Sequence, residues 1–207
     1  MTQAAEHFIL RKMQLTDVPQ VVSIDRESFT MPWSTRTYNF EISQSDTSHM
    51  VVLEATHLTP ITQNGWRSLL YRLFAPNTPP IIVGYGGCWL IAGEAHISTI
   101  ATHPDFRGRG LGELLLAGML QRSINLGGEY SVLEVRESNV TAQKLYEKYG
   151  YHVVGRRRGY YRDDNEDALL MEVRPLDAAY AEQLQRRIAA LRQRIPFADT
   201  FMSPDQR

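Results

Sequence analysis

One stretch limits what this chain can fold into more than any other. An apolar run ends at Thr102, the segment Arg107-Gly108-Arg109-Gly110-Leu111-Gly112 follows, and an apolar-periodic run continues to residue 126. Read as strand, glycine-rich turn and helix, it sets several unpaired backbone N–H groups and the positive end of a helix dipole at one point. Such a point attracts anions, and glycines at 108, 110 and 112 let an anion approach the backbone without a Cβ in the way. The spacing is not that of the P-loop, since neither Lys-Ser nor Lys-Thr follows Gly112, and it is not the dinucleotide G-x-G-x-x-G. What remains is an α/β chain with a phosphate cradle of another kind.

The surrounding pattern supplies the rest of the frame. Residues 8–13 read as a strand, and Thr16 as the N-cap of a helix through residue 28, with Asp17 and Pro19 in its first turn. Ser34 caps a second helix over 35–43, and 49–55 is apolar and β-branched enough for a strand. Residues 57–80 lose this regularity and read as a surface insertion. Strands at 81–92 and 94–102 turn about Ala92-Gly93-Glu94, and Gly84, Gly86 and Gly87 point to a bulge or a close backbone approach. The helix after the cradle ends at Gly127-Gly128, with Leu111, Leu114, Leu115, Met119 and Ile124 on or near one face. A strand over 130–136, a helix from the cap Asn139 to the αL stop Gly150, and a hairpin of 151–161 with 168–173 complete the core. Beyond it, Leu176, Tyr180, Leu184, Ile188, Leu191 and Ile195 recur at steps of four, four, four, three and four, one apolar helical stripe. The chain thus divides into a domain over 1–175 and a C-terminal amphipathic helix and tail over 176–207.

Composition narrows the function classes. With 22 Lys plus Arg against 23 Asp plus Glu, no broad positive field recruits nucleic acid, and the arginines Arg186, Arg187, Arg192 and Arg194 read as the solvated face of the last helix. No apolar stretch is long enough to cross a bilayer, and residues 1–8 have neither the basic nor the apolar part of an export signal, so a cytoplasmic protein without membrane partners is expected. Six scattered histidines make no pair at ligand spacing, so no metal is expected. His103 precedes Pro104 and reads as a turn residue; the single cysteine, Cys88, lies in an apolar run and reads as a buried strand residue, not a nucleophile.

Arg107-x-x-Gly110-x-Gly112, preceded by Ile100-Ala101-Thr102-His103-Pro104, resembles the hallmark of the GCN5-related N-acetyltransferase (GNAT) superfamily. Leu133-Glu134-Val135-Arg136-Glu137-Ser138-Asn139 with Leu145-Tyr146-Glu147-Lys148-Tyr149-Gly150-Tyr151 resembles its RimI-type ribosomal-protein alanine N-acetyltransferases. Gly93-Glu94-Ala95-His96-Ile97, Tyr160-Tyr161 and Glu166-Asp167-Ala168 extend the match, which spans about 8–174. The resemblance implies a mixed, mostly antiparallel sheet flanked by helices, and acetyl-CoA as cosubstrate. It implies that Ile100, Ala101 and Thr102 pair with the acetyl and pantetheine arm. The pyrophosphate would meet Arg107 and the backbone of Gly108, Arg109, Gly110, Leu111, Gly112 and Glu113, and Asn139 would touch the cofactor while capping its helix.

Acyl transfer from a thioester to an amine needs a base for the ammonium proton and gains from an acid near the departing thiolate. Glu134 on a strand and Tyr146 on the next helix suit those roles, because a phenol is still protonated at neutral pH. The resemblance implies the same pairing. On the residues alone, Glu134 could equally be an ion-pair partner of Arg136 or of a cradle arginine, and Tyr146 could be packing. An α-amine, with reference pKa near 7.7 to 8.0, costs about 3.5 kcal/mol less to deprotonate than a lysine near 10.4, which favours a protein N-terminus as acceptor. The resemblance points the same way, to the terminal alanine of a small-subunit ribosomal protein, with Trp33 and Tyr160-Tyr161 flanking the acceptor peptide; Trp33 could also be a core anchor. Rival readings are a lysine or small-molecule acetyltransferase on the same scaffold, and a non-catalytic acyl-CoA sensor, which would need the cradle but neither the acid nor the base.

Overall fold

In the computed structural model, residues 7–56 and 80–203 are described, so the expected insertion at 57–80 lies outside the described residues except for Pro80. Eight strands form one sheet: β1 (His7–Lys12), β2 (Ser48–Thr56), β3 (Ile81–Ile91), β4 (Glu94–Thr102), β5 (Tyr130–Arg136), β6 (His152–Tyr161), β7 (Glu166–Val173) and β8 (Phe197–Asp199). Their order is β6-β7-β5-β4-β3-β2-β1-β8. Only the β4–β5 and β1–β8 pairs are parallel, so the sheet is mixed and mostly antiparallel, as expected.

The helices are α1 (Val18–Ser28), α2 (Thr35–Ser43), α3 (Leu111–Asn125), α4 (Val140–Lys148) and α5 (Ala178–Arg194). They cover both faces, and the central strands are apolar on both sides for that reason. In β2, Val51, Leu53 and Ala55 join the larger core with α3 and α5, while Met50 and Val52 join the smaller core under α1 and α2. Helix α3, sandwiched between sheet and α5, is buried nearly all round, Leu114, Leu115, Leu116, Met119 and Leu120 being 0% exposed. Truncating one such leucine to alanine costs about 2–5 kcal/mol. Gly86 fits because Met119 packs against it: an added Cβ would lie 2.9 Å from the Met119 methyl. The register shift between Gly87 and Cys88 leaves Ser98 of β4 as the extra residue, so that bulge belongs to the neighbouring strand; the bulge of β3 itself is at Val83, beside Gly84.

Two local expectations differ. Thr16 caps nothing; residues Leu15–Asp17 form a 3-10 turn, and Asp17 turns back to accept from the Gln14 N–H at 2.8 Å and from Arg11 at 2.7 and 2.9 Å. The tail does not stop at its helix: Phe197–Asp199 adds a parallel strand beside β1, and Phe201 and Met202 are buried. The stripe itself is buried as expected at Leu184, Ile188, Leu191 and Ile195. Cys88 is fully buried, and burial pushes its thiol up to about 11. His103 caps the turn Pro104–Phe106, accepting from the Asp105 N–H. Among the described residues no helix is long and apolar enough to cross a membrane.

Candidate active site

The site begins where two parallel strands part. β4 and β5 pair only from Glu94↔Tyr130 to Ile97↔Leu133, although β4 runs on to Thr102 and β5 to Arg136. Each keeps its other neighbour throughout, β3 for β4 and β7 for β5, so residues 98–102 of β4 present a backbone edge to a widening gap. The bulge at Ser98 sits where the gap opens, and the buried Ser98 hydroxyl has no hydrogen-bond partner. Ile100, Ala101 and Thr102 lie on that edge. An extended amide-bearing arm fits there because unpaired strand groups seek such partners.

Both strands lead into helix N-termini at the mouth of the gap. In α3 the first intrahelical bond runs from Leu114 N–H to Gly110 O at 3.1 Å, which leaves the N–H groups of Leu111, Gly112 and Glu113 without intrahelical acceptors. Gly108 and Gly110 have φ of +76° and +83°, a region that favours glycine. The three glycines are not equivalent, contrary to the reading of an approach open at each. A Cβ at Gly108 would meet nothing within 4 Å, and one at Gly112 only Thr102 Oγ1 at 3.6 Å, but one at Gly110 would lie 3.1 Å from Ile195 Cδ1. The turn is therefore open to an anion on its Gly108 and Gly112 side and covered by α5's end on its Gly110 side. The two arginines hold the loop: Arg107 donates to Thr102 O and Ser28 Oγ, and Arg109 donates to Asp105 O and stacks 4.7 Å over Phe106. Asn139 caps α4, accepting from Ala142 N–H at 3.1 Å.

Glu134 lies on β5 beside the gap, its side chain 7% exposed. Its partners are not Arg136 or a cradle arginine. Oε2 accepts from His96 Nε2 at 2.8 Å, and Arg157 Nη1 stands 2.8 Å from Oε1. The second contact has ion-pair distance without hydrogen-bond direction, so Oε1 is buried with unused lone pairs. Burial pushes the carboxyl up, but the His96 hydrogen bond, the His96 charge and the Arg157 charge outweigh it and hold it below the usual range. Arg136 instead gathers Asp163, Asp164 and Glu166. Tyr146 is buried at 6% exposure, its ring 5.8 Å from Tyr151, and burial with the nearby Tyr161 raises its phenol well above the ordinary value.

The flanking aromatics come together around Glu134. Trp33 stacks on Trp89 at 6.2 Å and 8°, and Trp89 meets the His96 ring edge-on at 5.5 Å. Trp33 is fixed from below, its N–H donating at 2.6 Å to Asp25, a buried carboxylate that also accepts from Tyr85. On the other side Tyr160 carries Arg157 over its ring at 5.6 Å, and Tyr161 lies under Arg136 at 4.0 Å. The loop between α1 and α2 touches the β6–β7 turn, Thr30 bonding Asp163 and accepting from Arg136. The sequence reading missed His96, Trp89 and Arg157. His96 pairs with Val132, two residues before Glu134 on the same face, a relation that needs the β4–β5 register and leaves no mark along the chain.

Comparisons with known proteins agree with this architecture. A model of the acetyltransferase (GNAT) family matches residues 18–151. A Bacillus subtilis protein with the provisional name [ribosomal protein bS18]-alanine N-acetyltransferase is 33% identical over 165 residues, 79% of this chain and 93% of that one. The crystal structure of the ribosomal-protein-S18-alanine N-acetyltransferase from Escherichia coli superposes with a TM-score of 0.64 at 27% identity, covering 83% of this chain and 96% of that one. The Arabidopsis thaliana NAA60 structure in complex with acetyl-CoA shares the fold, with a TM-score of 0.63 at 14% identity over 81% of this chain and 98% of that one.

Proposed function

This chain belongs to the acetyltransferase (GNAT) family and is an acetyl-CoA-dependent N-acetyltransferase, and from that premise we propose that it acetylates the N-terminal α-amine of a protein, with the alanine of a small-subunit ribosomal protein as acceptor. Such an acceptor puts the activity in the cytoplasm, where ribosomes are made.

When bound, acetyl-CoA supplies an activated acetyl thioester. The free edge of Ile100, Ala101 and Thr102 holds its arm, and the N–H groups of residues 108–113 hold its pyrophosphate; Arg107 and Arg109 contribute by fixing the loop, and Asn139 by fixing α4. Glu134 takes the ammonium proton at Oε1, directly or through one water, while His96 keeps Oε2 occupied and the carboxylate aimed. The neutral amine then forms the C–N bond as the C–S bond breaks, and Tyr146, protonated at neutral pH, donates its proton to the sulfur, while the proton that the new amide nitrogen sheds passes through water to the phenolate left behind. Trp33 with Trp89 on one side and Tyr160 with Tyr161 on the other line the way in.

The observation that carries this reading is the buried Oε1 of Glu134, which accepts no hydrogen bond although Arg157 stands at ion-pair distance. A carboxylate held below its usual pKa is a weak base, suited to an α-amine and ill-suited to a lysine that costs about 3.5 kcal/mol more to deprotonate. A peptide beginning with alanine should be acetylated at its terminus and its Nα-formyl, lysine-containing twin should not. Equal mass shifts on both peptides, or a polyamine as the far better acceptor, would overturn it.

A further inference from the structure

Arg194, the last residue of α5, stands at the cradle. Its Nη2 lies 3.9 Å from where a Cβ on Gly110 would be, and 3.3 Å from Glu113 Oε2. From the other side, Lys148 at the end of α4 places Nζ 2.5 Å from Glu113 Oε1, which also accepts from Tyr149 at 3.2 Å. Three helices thus bring two cations onto one carboxylate. We propose that Lys148 and Arg194 form a second phosphate site, which takes the 3′-phosphate of coenzyme A and makes the C-terminal helix part of the cofactor site. The proposal rests on the acetyl-CoA dependence stated above.

The cofactor carries two separate anionic groups, a pyrophosphate and a 3′-phosphomonoester of charge about −1.5 to −2 at neutral pH. The backbone N–H groups at the start of α3 serve one of them. Arg107 and Arg109, the side chains sequence would nominate for the other, are turned back onto Thr102, Ser28, Asp105 and Phe106. Lys148 and Arg194 remain, with side chains 44% and 58% exposed above a Glu113 that is 12% exposed. Lys148 alone would neutralise that carboxylate, and Arg194 leaves the cluster net positive. An ammonium has three donors and a guanidinium five, so each keeps donors free after binding Glu113. Burial pushes the Glu113 carboxyl up, but Lys148, Tyr149 and Arg194 together hold it below the usual range, so it stays anionic and anchors both cations at neutral pH. The position is also separate from the pyrophosphate's approach, since Ile195 covers the Gly110 side of the turn while the Gly108 and Gly112 side is open.

Calorimetry with coenzyme A and with 3′-dephospho-coenzyme A tests this on the full chain. The wild-type protein should prefer coenzyme A by roughly tenfold or more, the size expected of charge-assisted hydrogen bonds to an exposed phosphate. Arg194→Gln and Lys148→Gln should each shrink the preference and together erase it, with dephospho-coenzyme A affinity changing less than about twofold. Equal wild-type affinity for the two ligands would overturn the proposal, even if no variant folded. So would variants that weaken both ligands alike, since the cations would then act only by shaping the cradle. Failure of the wild-type protein to bind either ligand would overturn the acetyl-CoA dependence along with it.

Discussion

Glu134 is pulled two ways, because burial raises its pKa while His96 and Arg157 lower it by more, so it is a carboxylate already when pH rises through mildly acidic values. Its folded pKa below the ordinary 4.5 of a glutamate means that it contributes stability fully above that value, and loses the contribution as pH falls through the folded pKa. Glu134→Gln should lower turnover roughly 10²-fold or more with little change in coenzyme A affinity, and Tyr146→Phe should do the same by removing the proton donor. Near-native turnover of Glu134→Gln from pH 6 to 9 would mean that the proton goes elsewhere. His96 acts through Glu134, so its test is a pH profile. His96→Leu removes the largest lowering influence on Glu134 and raises its pKa; the acid limb of kcat/KM should then move to higher pH, while His96→Gln, which can still donate to Oε2, should move it less. A limb that stays in place in His96→Leu would make that histidine packing for Trp89 alone.

At the scale of elements, what was legible in the sequence was local. The glycine-rich turn before α3, the caps at Ser34 and Asn139 and the αL stop at Gly150 are each set by a few adjacent residues, and they lie where the pattern put them. Thr16 misled because Asp17, one residue on, has a stronger claim from Arg11 across the turn. β8 was hidden because three residues cannot display a period, and its partner β1 lies at the other end of the chain. The partners of Glu134 were hidden for the same reason of distance. The cradle itself gives a paired prediction. Gly112→Asp adds a side chain in ordinary contact with Thr102, at a helix N-terminus that welcomes a carboxylate by about 0.3–1 kcal/mol, so the protein should keep its Tm yet lose at least about tenfold in coenzyme A affinity. Gly110→Asp forces φ +83° on a substituted residue against Ile195 and should cost about 1–2 kcal/mol of stability besides. Thermal shifts with calorimetry separate the two, and unchanged affinity in a folded Gly112→Asp protein would dismantle the pyrophosphate assignment.

At the scale of the whole molecule, the residues after 175 share one core with those before it. Leu184, Ile188, Leu191, Ile195, Phe197, Phe201 and Met202 belong to the same cluster as the sheet and α3, and the parallel β1–β8 pair ties the last strand to the first. The buried Arg122 of α3 reinforces the tie, donating to Phe201 O at 2.7 Å and Ser203 O at 3.0 Å and lying 5.0 Å over the Phe201 ring. Losing that ring would leave a cavity beside a guanidinium that has given up water for protein partners. Phe201→Ala should therefore lower the unfolding free energy by about 3–5 kcal/mol, as buried phenylalanines do. Because the residue sits in the common core, the loss should appear as a lower urea midpoint of one transition with an unchanged slope, seen alike by far-UV circular dichroism and by the tryptophan fluorescence of a Trp66→Phe background, which reports the Trp33 and Trp89 side of the sheet. A tail that unfolds first, with circular dichroism lost at lower urea than fluorescence, would instead make residues 176–203 a separable unit resting on a domain that is complete without it.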